Sequence, residues 1–216
     1  MIERSDVISF FDRCAPNWDA EMIRNEPVIR TILDNAGIRA GMDVLDVACG
    51  TGVLCEILAG DGIEASGMDF SEGMIEIAKQ RNPEISYEVA DMITYRPDEK
   101  FDLVTCTGDA LNHIMRLEDM DRIFANVSAY LAEGGYFIFD ILNEKEVPMA
   151  EPIDLDFSET VKAQFMVTHD PDGRINLKTT VYENGVKQFE ENIKEIVHDE
   201  KAVCELLRKN GFRVEK

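Results

Sequence analysis

Residues 44–52 of this chain, VLDVACGTG, decide its fold. They begin as a short run of apolar and β-branched residues, which is typical of a buried parallel strand. Gly50 and Gly52 then permit positive φ, so the chain can turn tightly and a flat ligand can lie against its backbone. Residues 53–59 predict a helix that ends at Gly60. A strand, a glycine turn and a helix in this order predict a site for a nucleotide-like cofactor.

The spacing of the glycines separates two kinds of cofactor. The dinucleotide fingerprint is G-x-G-x-x-G. Starting that pattern at Gly50 places Cys55 where the third glycine belongs, and starting it at Ala48 places Val53 there. The strand instead carries Asp46, whose carboxylate would repel a pyrophosphate and attract a cationic amino-acid group. A nicotinamide-dependent oxidoreductase is therefore the weaker alternative.

The pattern D-x-A-x-G-x-G over residues 46–52 resembles the first motif of the class I S-adenosylmethionine-dependent methyltransferases, with Ala48 in place of the first of three glycines. Residues 67–79, GMDFSEGMIEIAK, resemble the second motif of that family, and residues 131–141, LAEGGYFIFDI, resemble the fifth. The resemblance runs almost continuously over residues 40–143. It implies an enzyme that uses S-adenosylmethionine to methylate a nitrogen or oxygen of a small molecule by in-line displacement, without a metal.

Predicted strands and helices alternate along this region. Strands are predicted at residues 42–47, 63–68, 85–89, 101–106 and 136–141, and helices at residues 53–59, 71–80 and 117–131. This alternation predicts an α/β fold with a Rossmann-like, doubly wound, mostly parallel sheet. We expect cap helices over residues 1–36, with residues 10–22 as an entry helix, and a cofactor-binding core over residues 37–143.

Residues 158–197 change to a period of two, with turn signals at 170–173 and 184–185. Three alternating runs separated by two turns predict a three-stranded antiparallel insertion after the fifth strand. We expect residues 144–198 to form a lid over the substrate, as similar insertions do in the family. A dimerisation surface is the alternative, so a homodimer stays open. Residues 199–216 predict a helix and then the start of an edge strand at residue 212.

The resemblance implies cofactor contacts at the carboxyl ends of the strands. Asp46 and the glycine turn would hold the methionine part, Asp69 the ribose hydroxyls, and Asp91 with Met92 the adenine. Asp69 could instead only cap the following helix, and Trp18 could pack between helix and sheet rather than close over the cofactor. The expected cofactor residues are Trp18, Asp46, Ala48, Gly50, Gly52, Asp69, Phe70, Met74, Asp91, Met92 and Thr107.

His113 is the candidate general base, because a histidine titrates in the useful range and this one follows the fourth strand. Asp109 is the second catalytic candidate, and Asp140 at the end of the fifth strand could orient a cationic amine. His169 and His198 are poorer candidates, since they lie near the predicted turn and the end of the insertion. A cofactor-binding protein without catalytic activity is an alternative that the sequence leaves open.

Composition limits the partners of the protein. The formal net charge of −21 opposes binding to nucleic acids and anionic membranes, because such binding depends on lysine and arginine. Five cysteines without a C-x-x-C pair suggest neither a disulfide framework nor a zinc site, and fit a reducing cytoplasm. No apolar run resembles a signal peptide or a membrane span. We therefore expect a cytoplasmic protein whose partner is a small-molecule methyl acceptor.

Overall fold

The main sheet has five parallel strands in the order β3-β2-β1-β4-β5. In the computed structural model, which describes residues 4–20, 26–142, 152–156, 158–170 and 174–215, these strands are β1 (Asp43–Val47), β2 (Glu64–Asp69), β3 (Ser86–Val89), β4 (Phe101–Cys106) and β5 (Leu131–Phe139). The chain order reverses between β1 and β4, so the crevice beyond their carboxyl ends is where ligands bind in such sheets. The predicted Rossmann-like α/β fold is confirmed.

Helices cover both faces of the main sheet. They are α1 (Arg4–Cys14), α2 (Glu26–Asn35), α3 (Val53–Gly60), α4 (Glu72–Arg81), α5 (Leu117–Tyr130) and α6 (Glu200–Lys209), with short 3-10 helices at Ala15–Ala20 and Ala110–His113. Alternate strand residues face opposite sides: Val44 packs with Leu58 of α3, whereas Leu45 packs with Phe124 of α5. Of the predicted entry helix, the part up to Cys14 is α-helical, and residues 21 and 22 lie outside the described residues.

The fifth strand begins earlier than the sequence predicts. Helix α5 ends at Tyr130 and β5 starts at Leu131, so the glycine pair Gly134-Gly135 lies within the strand instead of ending the helix. The β4–β5 pairing shifts register between Phe101 and Leu103. At this irregularity a Cβ on Gly135 would lie only 2.8 Å from the Asp102 carbonyl oxygen. Gly134 and Gly135 therefore allow β5 to approach β4 closely. From the sequence alone, a glycine pair of this kind cannot be distinguished from one that ends a helix.

The antiparallel sheet has four strands rather than the predicted three. Its order is β6-β7-β8-β9, and the strands are β6 (Ile153–Asp156), β7 (Val161–His169), β8 (Arg174–Glu183) and β9 (Val186–Ile196). The added strand β6 lies at an edge, and its Ile153 is 48% exposed. Its residues, IDLD, alternate between apolar and acidic, but a run of only four residues is at the lower limit of length at which alternation indicates a strand.

The turn between β8 and β9 is confirmed at Asn184-Gly185, where both residues have positive φ. Residues 171–173 of the other predicted turn lie outside the described residues, as do residues 143–151 of the connection from the main sheet. After β9, at the end of the insertion, the chain returns to the core through α6.

The predicted edge strand at the end of the chain is wrong for residues 212–215, which form no strand. Phe212 instead packs its ring 5.9 Å from the ring of Phe137 on β5, in the apolar cluster beneath α5 and α6. Burial of an aromatic side chain outweighs strand pairing here because a Phe ring removes a large apolar area from water. Within the described residues, no helix is both long and apolar enough to cross a membrane.

Candidate cofactor and acceptor site

A cavity of about 730 Å³ opens at the carboxyl ends of β1, β2 and β4. Its size suits a small-molecule site, for which volumes of roughly 300–1,000 Å³ are usual. The core, the N-terminal helices and the antiparallel sheet all contribute to its wall. Of the expected site residues, the wall contains Trp18, Asp46, Ala48, Gly50, Asp69, Phe70, Met74, Met92, Thr107 and His113. Gly52, Asp91 and Asp109 are not part of the wall.

Asp46 is a buried carboxylate in the floor of the cavity, with only 3% of its surface exposed. The register of β1 and β4 places it opposite Thr105, whose hydroxyl donates a hydrogen bond of 2.6 Å to Oδ1. Oδ2 lies 4.0 Å from the Cys55 thiol. Burial raises the pKa of Asp46 to about 7, against the Thr105 hydrogen bond, and the negative charge of Asp69 raises it further. A cation in the cavity would favour the ionised form.

Asp69 organises the turn that follows β1. Its Oδ2 accepts a hydrogen bond of 3.0 Å from the backbone N–H of Gly50, and its Oδ1 accepts one of 2.8 Å from that of Ser71. Burial raises the pKa of Asp69, and the backbone donors partly oppose that shift. The sequence left open whether Asp69 caps the following helix or contacts the cofactor. In the structure Asp69 holds the start of α4 and also lines the cavity. The Phe70 backbone N–H is a third donor to this carboxylate, and because a carboxylate has about four acceptor positions, capacity remains for a ribose hydroxyl.

The turn itself adopts left-handed backbone conformations. Ala48, Gly50 and Gly52 have φ of 58°, 53° and 78°. A Cβ on Gly50 would meet only Trp18 Nε1, at 3.9 Å, so this glycine keeps the cavity open beside the tryptophan. A Cβ on Gly52 would lie 2.5 Å from the Tyr87 hydroxyl. The structure thus gives Gly52 a packing role and leaves the cavity side of the turn to Ala48 and Gly50.

The expected adenine region has an apolar wall. Phe70, Met74, Met92 and Ile93 line the cavity between β2 and the turn after β3. Asp91 precedes this wall, and its Oδ1 accepts a hydrogen bond of 2.8 Å from the backbone N–H of Ile93. Its carboxylate therefore fixes the turn that presents Met92 and Ile93, and the wall supplies a flat apolar surface of the kind that an aromatic base requires.

Aromatic side chains from the N-terminal helices cover one side of the cavity. Phe11 of α1 makes edge contacts with Trp18 at 5.4 Å, with Phe70 at 5.7 Å and with His113 at 5.5 Å. Trp18 is intermediate in exposure and lines the cavity, and its contact with a ligand there stays a prediction. Phe11 joins the cofactor half of the cavity to the half that holds His113.

Two aspartates attach this N-terminal cover to the core. Asp12 Oδ1 accepts hydrogen bonds from the Ser71 hydroxyl at 2.6 Å and from the Gly73 N–H at 3.0 Å, at the start of α4. Asp19 accepts a hydrogen bond of 2.6 Å from the Thr51 hydroxyl and forms an ion pair with Arg81. The negative charge of Asp12 is also favourable near the N-terminus of a helix. The cover is therefore attached directly to the glycine turn and to α4.

Replacing Gly73 by alanine should loosen this cover. A Cβ at position 73 would lie 3.0 Å from both the Cα and the carbonyl oxygen of Asp12, so α1 must move away. We expect the fluorescence of Trp18, the only tryptophan, to shift to longer wavelength. Loss of a charge-assisted hydrogen bond worth about 1.5 kcal/mol should raise the dissociation constant for S-adenosylmethionine about tenfold.

Gly60→Ala is the matched control, because a Cβ there has no neighbour within 4 Å and the residue is helical. It should leave both the fluorescence and the dissociation constant unchanged. Equal behaviour of the two variants would show that α1 is not held through Gly73.

His113 lies between the cavity and the antiparallel sheet. Its Nε2 is 3.7 Å from Oε1 of Glu195 on β9, and the two side chains are 16% and 15% exposed. Burial lowers the pKa of His113 to about 4, against a backbone hydrogen bond at Lys194. Burial raises the pKa of Glu195 to about 7, helped by the negative charge of Asp109. His113 is therefore neutral near pH 7.

The remaining polar candidates shape the loop after β4. Asp140, at the end of β5, accepts hydrogen bonds of 3.0 Å from the backbone N–H groups of Gly108 and Asp109. Asp109 has a φ of 59° and begins the 3-10 helix that carries His113. His198 is buried, and its Nε2 lies 3.2 Å from the Leu111 carbonyl oxygen. These groups position the loop rather than face the cavity.

Three residues at the site were not predicted from the sequence. Thr105 is identified only by the β1–β4 register, and Glu195 only by the contact between β9 and the core. Phe11 could have been suspected from the pair of phenylalanines at 10 and 11, since two adjacent aromatic side chains on a short helix need a surface to pack against. Among the described residues, no cluster of histidine, cysteine and acidic side chains could hold a metal ion.

The donor set fits S-adenosylmethionine. Buried carboxylates at positions 46 and 69 suit a cationic amino-acid moiety and ribose hydroxyls, and the apolar wall suits adenine. The unfilled acceptor positions of both carboxylates supply the polar contacts that such a ligand needs.

Comparison with known proteins identifies similar sequences. A family model described as a methyltransferase domain matches residues 44–135. The chain is 31% identical over 124 residues to a dTDP-4-amino-2,3,4,6-tetradeoxy-D-glucose N,N-dimethyltransferase of Saccharopolyspora spinosa, covering 57% of this chain and 48% of that protein. It is 36% identical over 152 residues to a ubiquinone biosynthesis O-methyltransferase of Coxiella burnetii, covering 66% and 63%. The chain thus spans about half to under two thirds of these relatives.

A solved structure extends the similarity to the antiparallel sheet. An amino pentose methyltransferase from Micromonospora echinaspora, with S-adenosylmethionine bound, superposes with a TM-score of 0.72 and covers 98% of this chain and 89% of its own. The sequence identity is 21%, so this likeness concerns the fold. Because the superposition covers 98% of this chain, it extends over both sheets of this chain.

Proposed function

Because residues 44–135 belong to the class I S-adenosylmethionine-dependent methyltransferases, we propose that this protein transfers the methyl group of that cofactor to a nitrogen or oxygen of a small molecule. One observation carries the proposal: two buried carboxylates, Asp46 and Asp69, flank a left-handed turn at the floor of a cavity large enough for cofactor and acceptor. The cofactor, when bound, supplies an activated methyl group on a positively charged sulfur.

Different residues of this chain would bind different parts of that cofactor. Asp46 would attract its cationic amino-acid part, and Asp69 would accept hydrogen bonds from the ribose while it fixes the Gly50 N–H. Trp18 would cover it from the N-terminal side, and Phe70, Met74 and Met92 would enclose the adenine. Thr107 and Ala48 complete the wall beside the strand ends. Asp91 and Gly52 would act indirectly, through the turns that they shape.

Catalysis in such a site is mainly positioning, because an in-line displacement needs the nucleophile held about 3–3.5 Å from the methyl carbon. His113 is the proposed general base for the acceptor proton, since it is neutral and lies in the cavity wall. Asp109 would assist through its charge near Glu195. The antiparallel sheet, proposed here as the lid, contributes Arg174 and Lys194 to the same wall.

These cationic side chains favour an acceptor that carries an anionic group. Arg116, which is ion-paired with Glu118, also lines the cavity, so three cationic side chains belong to a wall that also contains Asp46, Asp69 and Asp119. A nucleotide-linked amino sugar, the class named for the Saccharopolyspora spinosa relative, has both an amine and a diphosphate. We propose this class first and a phenolic hydroxyl, as an O-methyltransferase would use, second. We also propose that the protein acts in the cytoplasm without a nucleic-acid partner, consistent with its acidity.

The test combines binding and turnover. Calorimetry should show binding of S-adenosylmethionine and S-adenosylhomocysteine but not of NAD. Release of S-adenosylhomocysteine should then be followed with a nucleotide-linked amino sugar, the free amino sugar, a catechol and a carboxylic acid. We expect turnover with the nucleotide-linked amine. Cofactor binding without turnover on the whole panel would support the non-catalytic alternative, and NAD binding would support an oxidoreductase.

A further inference from the structure

Glu195 belongs to β9 of the antiparallel sheet, yet it lies beside a cavity residue of the core. His113 lines the cavity and Glu195 does not, so the imidazole stands between the cavity and the carboxylate. Nδ1 of His113 is buried and has no hydrogen-bond partner among the described residues. Nε2 faces Glu195 at 3.7 Å. The carboxylate thus lies on the Nε2 side of the ring, where it makes no hydrogen bond at this distance, and the backbone of Lys194 also acts on the ring as a hydrogen-bond partner.

The contact between β9 and the core is built to hold this pair. Asn112, fully buried next to His113, donates from Nδ2 to the Ile196 carbonyl at 2.7 Å and accepts from the Leu142 N–H at 3.0 Å. The Asn112 side chain therefore bonds to the backbone both at Leu142, where the chain leaves the core, and at Ile196, where it returns from the antiparallel sheet. Phe11 packs its ring almost perpendicular to the imidazole, at 88°. Rotation of either member of the pair is restricted from several sides.

We propose that Glu195 receives, through His113, the proton that the methyl acceptor loses, so that the base is assembled from the core and the lid together. This inference rests on the proposed methyl transfer. Nδ1 is buried in this structure, so the proposal requires the ring to expose it when the acceptor binds. The acceptor N–H or O–H bond then breaks as a bond to Nδ1 forms, and the Nε2–H bond breaks as a bond to Oε1 forms. His113 ends neutral, in the other tautomer, and Glu195 ends protonated. No electron is transferred and no further reactant is needed.

The pKa values of His113 and Glu195 favour proton transfer from the imidazole to the carboxylate. Burial depresses the pKa of His113 to about 4, which makes it a poor final acceptor at neutral pH. The pKa of Glu195, raised to about 7, matches the working range that a general base requires. The 3.7 Å separation must contract to about 2.6–3.2 Å for transfer, as catalytic hydrogen bonds commonly do when substrate binds.

Other charged groups surround the pair and set its titration. Asp109, at the start of the 3-10 helix, raises the pKa of Glu195 by its negative charge. Lys194 is adjacent on β9 and lines the cavity, as do Arg174 of β8 and Arg116 and Asp119 at α5. From α1 the pair meets the uncharged ring of Phe11.

Histidine NMR tests the proposal on the protein without acceptor. The chain has three histidines, so the ¹⁵N signals of His113 can be identified by comparison with His113→Gln. We expect neutral His113 with the proton on Nε2 from about pH 5.5 to 9, and a step in its Nε2 shift near pH 7 that reports Glu195. The step should vanish in Glu195→Gln and persist in Glu183→Gln, an exposed glutamate of the same sheet.

A second variant keeps the test decisive if Glu195→Gln folds poorly. Asp109→Asn removes a negative charge near Glu195, so the step should move to lower pH. A charged His113 at pH 7, a proton on Nδ1, or a step that survives both substitutions would overturn the proposal.

Turnover separates this inference from the proposed function. With an acceptor that the wild type methylates, kcat should rise with pH to a plateau above about pH 7, and Glu195→Gln should lower the plateau about 10- to 100-fold with an unchanged KM for S-adenosylmethionine. An unchanged plateau would overturn the relay. If no acceptor is methylated, the proposed function fails, while the NMR result still decides whether the pair exists.

Discussion

Asp46→Asn should weaken binding of S-adenosylmethionine about 100-fold or more, while the protein keeps its fold. The carboxylate is buried at the cavity floor, where loss of one member of a charge pair costs about 3 kcal/mol. Asparagine is nearly isosteric, and its Oδ1 can still accept the Thr105 hydroxyl proton. Calorimetry gives the dissociation constant, and the melting temperature should fall by less than about 2 °C.

The pH dependence of binding supplies an internal check on this prediction. Because the pKa of Asp46 is about 7 in the protein, its carboxyl group must lose a proton before it can attract the cation. Affinity should therefore rise as pH increases toward 7, about tenfold for each unit below the pKa. Titration of the ligand affects the wild type and Asp46→Asn equally, whereas titration of Asp46 affects only the wild type. The ratio of the two dissociation constants therefore reports the ionisation of Asp46 alone. A ratio independent of pH between 5 and 8 would contradict the role of Asp46.

Asp69→Asn should have the second large effect, on stability as well as binding. Both oxygens of Asp69 accept backbone N–H groups, from Gly50 and Ser71, whereas asparagine offers one acceptor and a donor. One buried N–H then loses its partner, which costs about 1–3 kcal/mol. We expect the melting temperature to fall by about 2–12 °C, and cofactor affinity to fall with it because the glycine turn is no longer fixed.

Asp102→Asn is the matched control for this prediction. Asp102 lies on β4, and its Oδ2 accepts a hydrogen bond from the Asp43 N–H at the opposite end of the strands. Its substitution should lower stability slightly and leave cofactor binding unchanged. Unaltered binding and melting in Asp69→Asn would show that neither the helix start nor the cofactor depends on this carboxylate.

The sequence predicted the parallel core well because each signal there is local. The glycine turn needs positive φ at Gly50 and Gly52, and Ser71 caps α4 by accepting from the Met74 N–H, as its position predicts. Strand β1 is buried on both faces, so its apolar run is unambiguous. The family resemblance then orders the strands and implies the cofactor. These features depend on residues that are neighbours in the chain.

The features that the sequence missed depend on distant pairing. The start of β5 at Leu131 follows from the close approach of Gly135 to β4, and β6 exists because β7 offers it an edge. Phe212 leaves the predicted strand because an apolar cluster lies within its reach. The contact of Glu195 with His113 joins residues from two sheets. No periodicity within a segment encodes such contacts, so the acceptor half of the site required the structure.

The most direct test of the account is a crystal structure of the protein with S-adenosylhomocysteine. We predict that its homocysteine group lies beside Asp46, its ribose hydroxyls on Asp69 and its adenine against Phe70 and Met92, with the sulfur facing the His113 side of the cavity. A ligand bound elsewhere, or its ribose away from Asp69, would contradict the assignment of the strand-end carboxylates as the cofactor site.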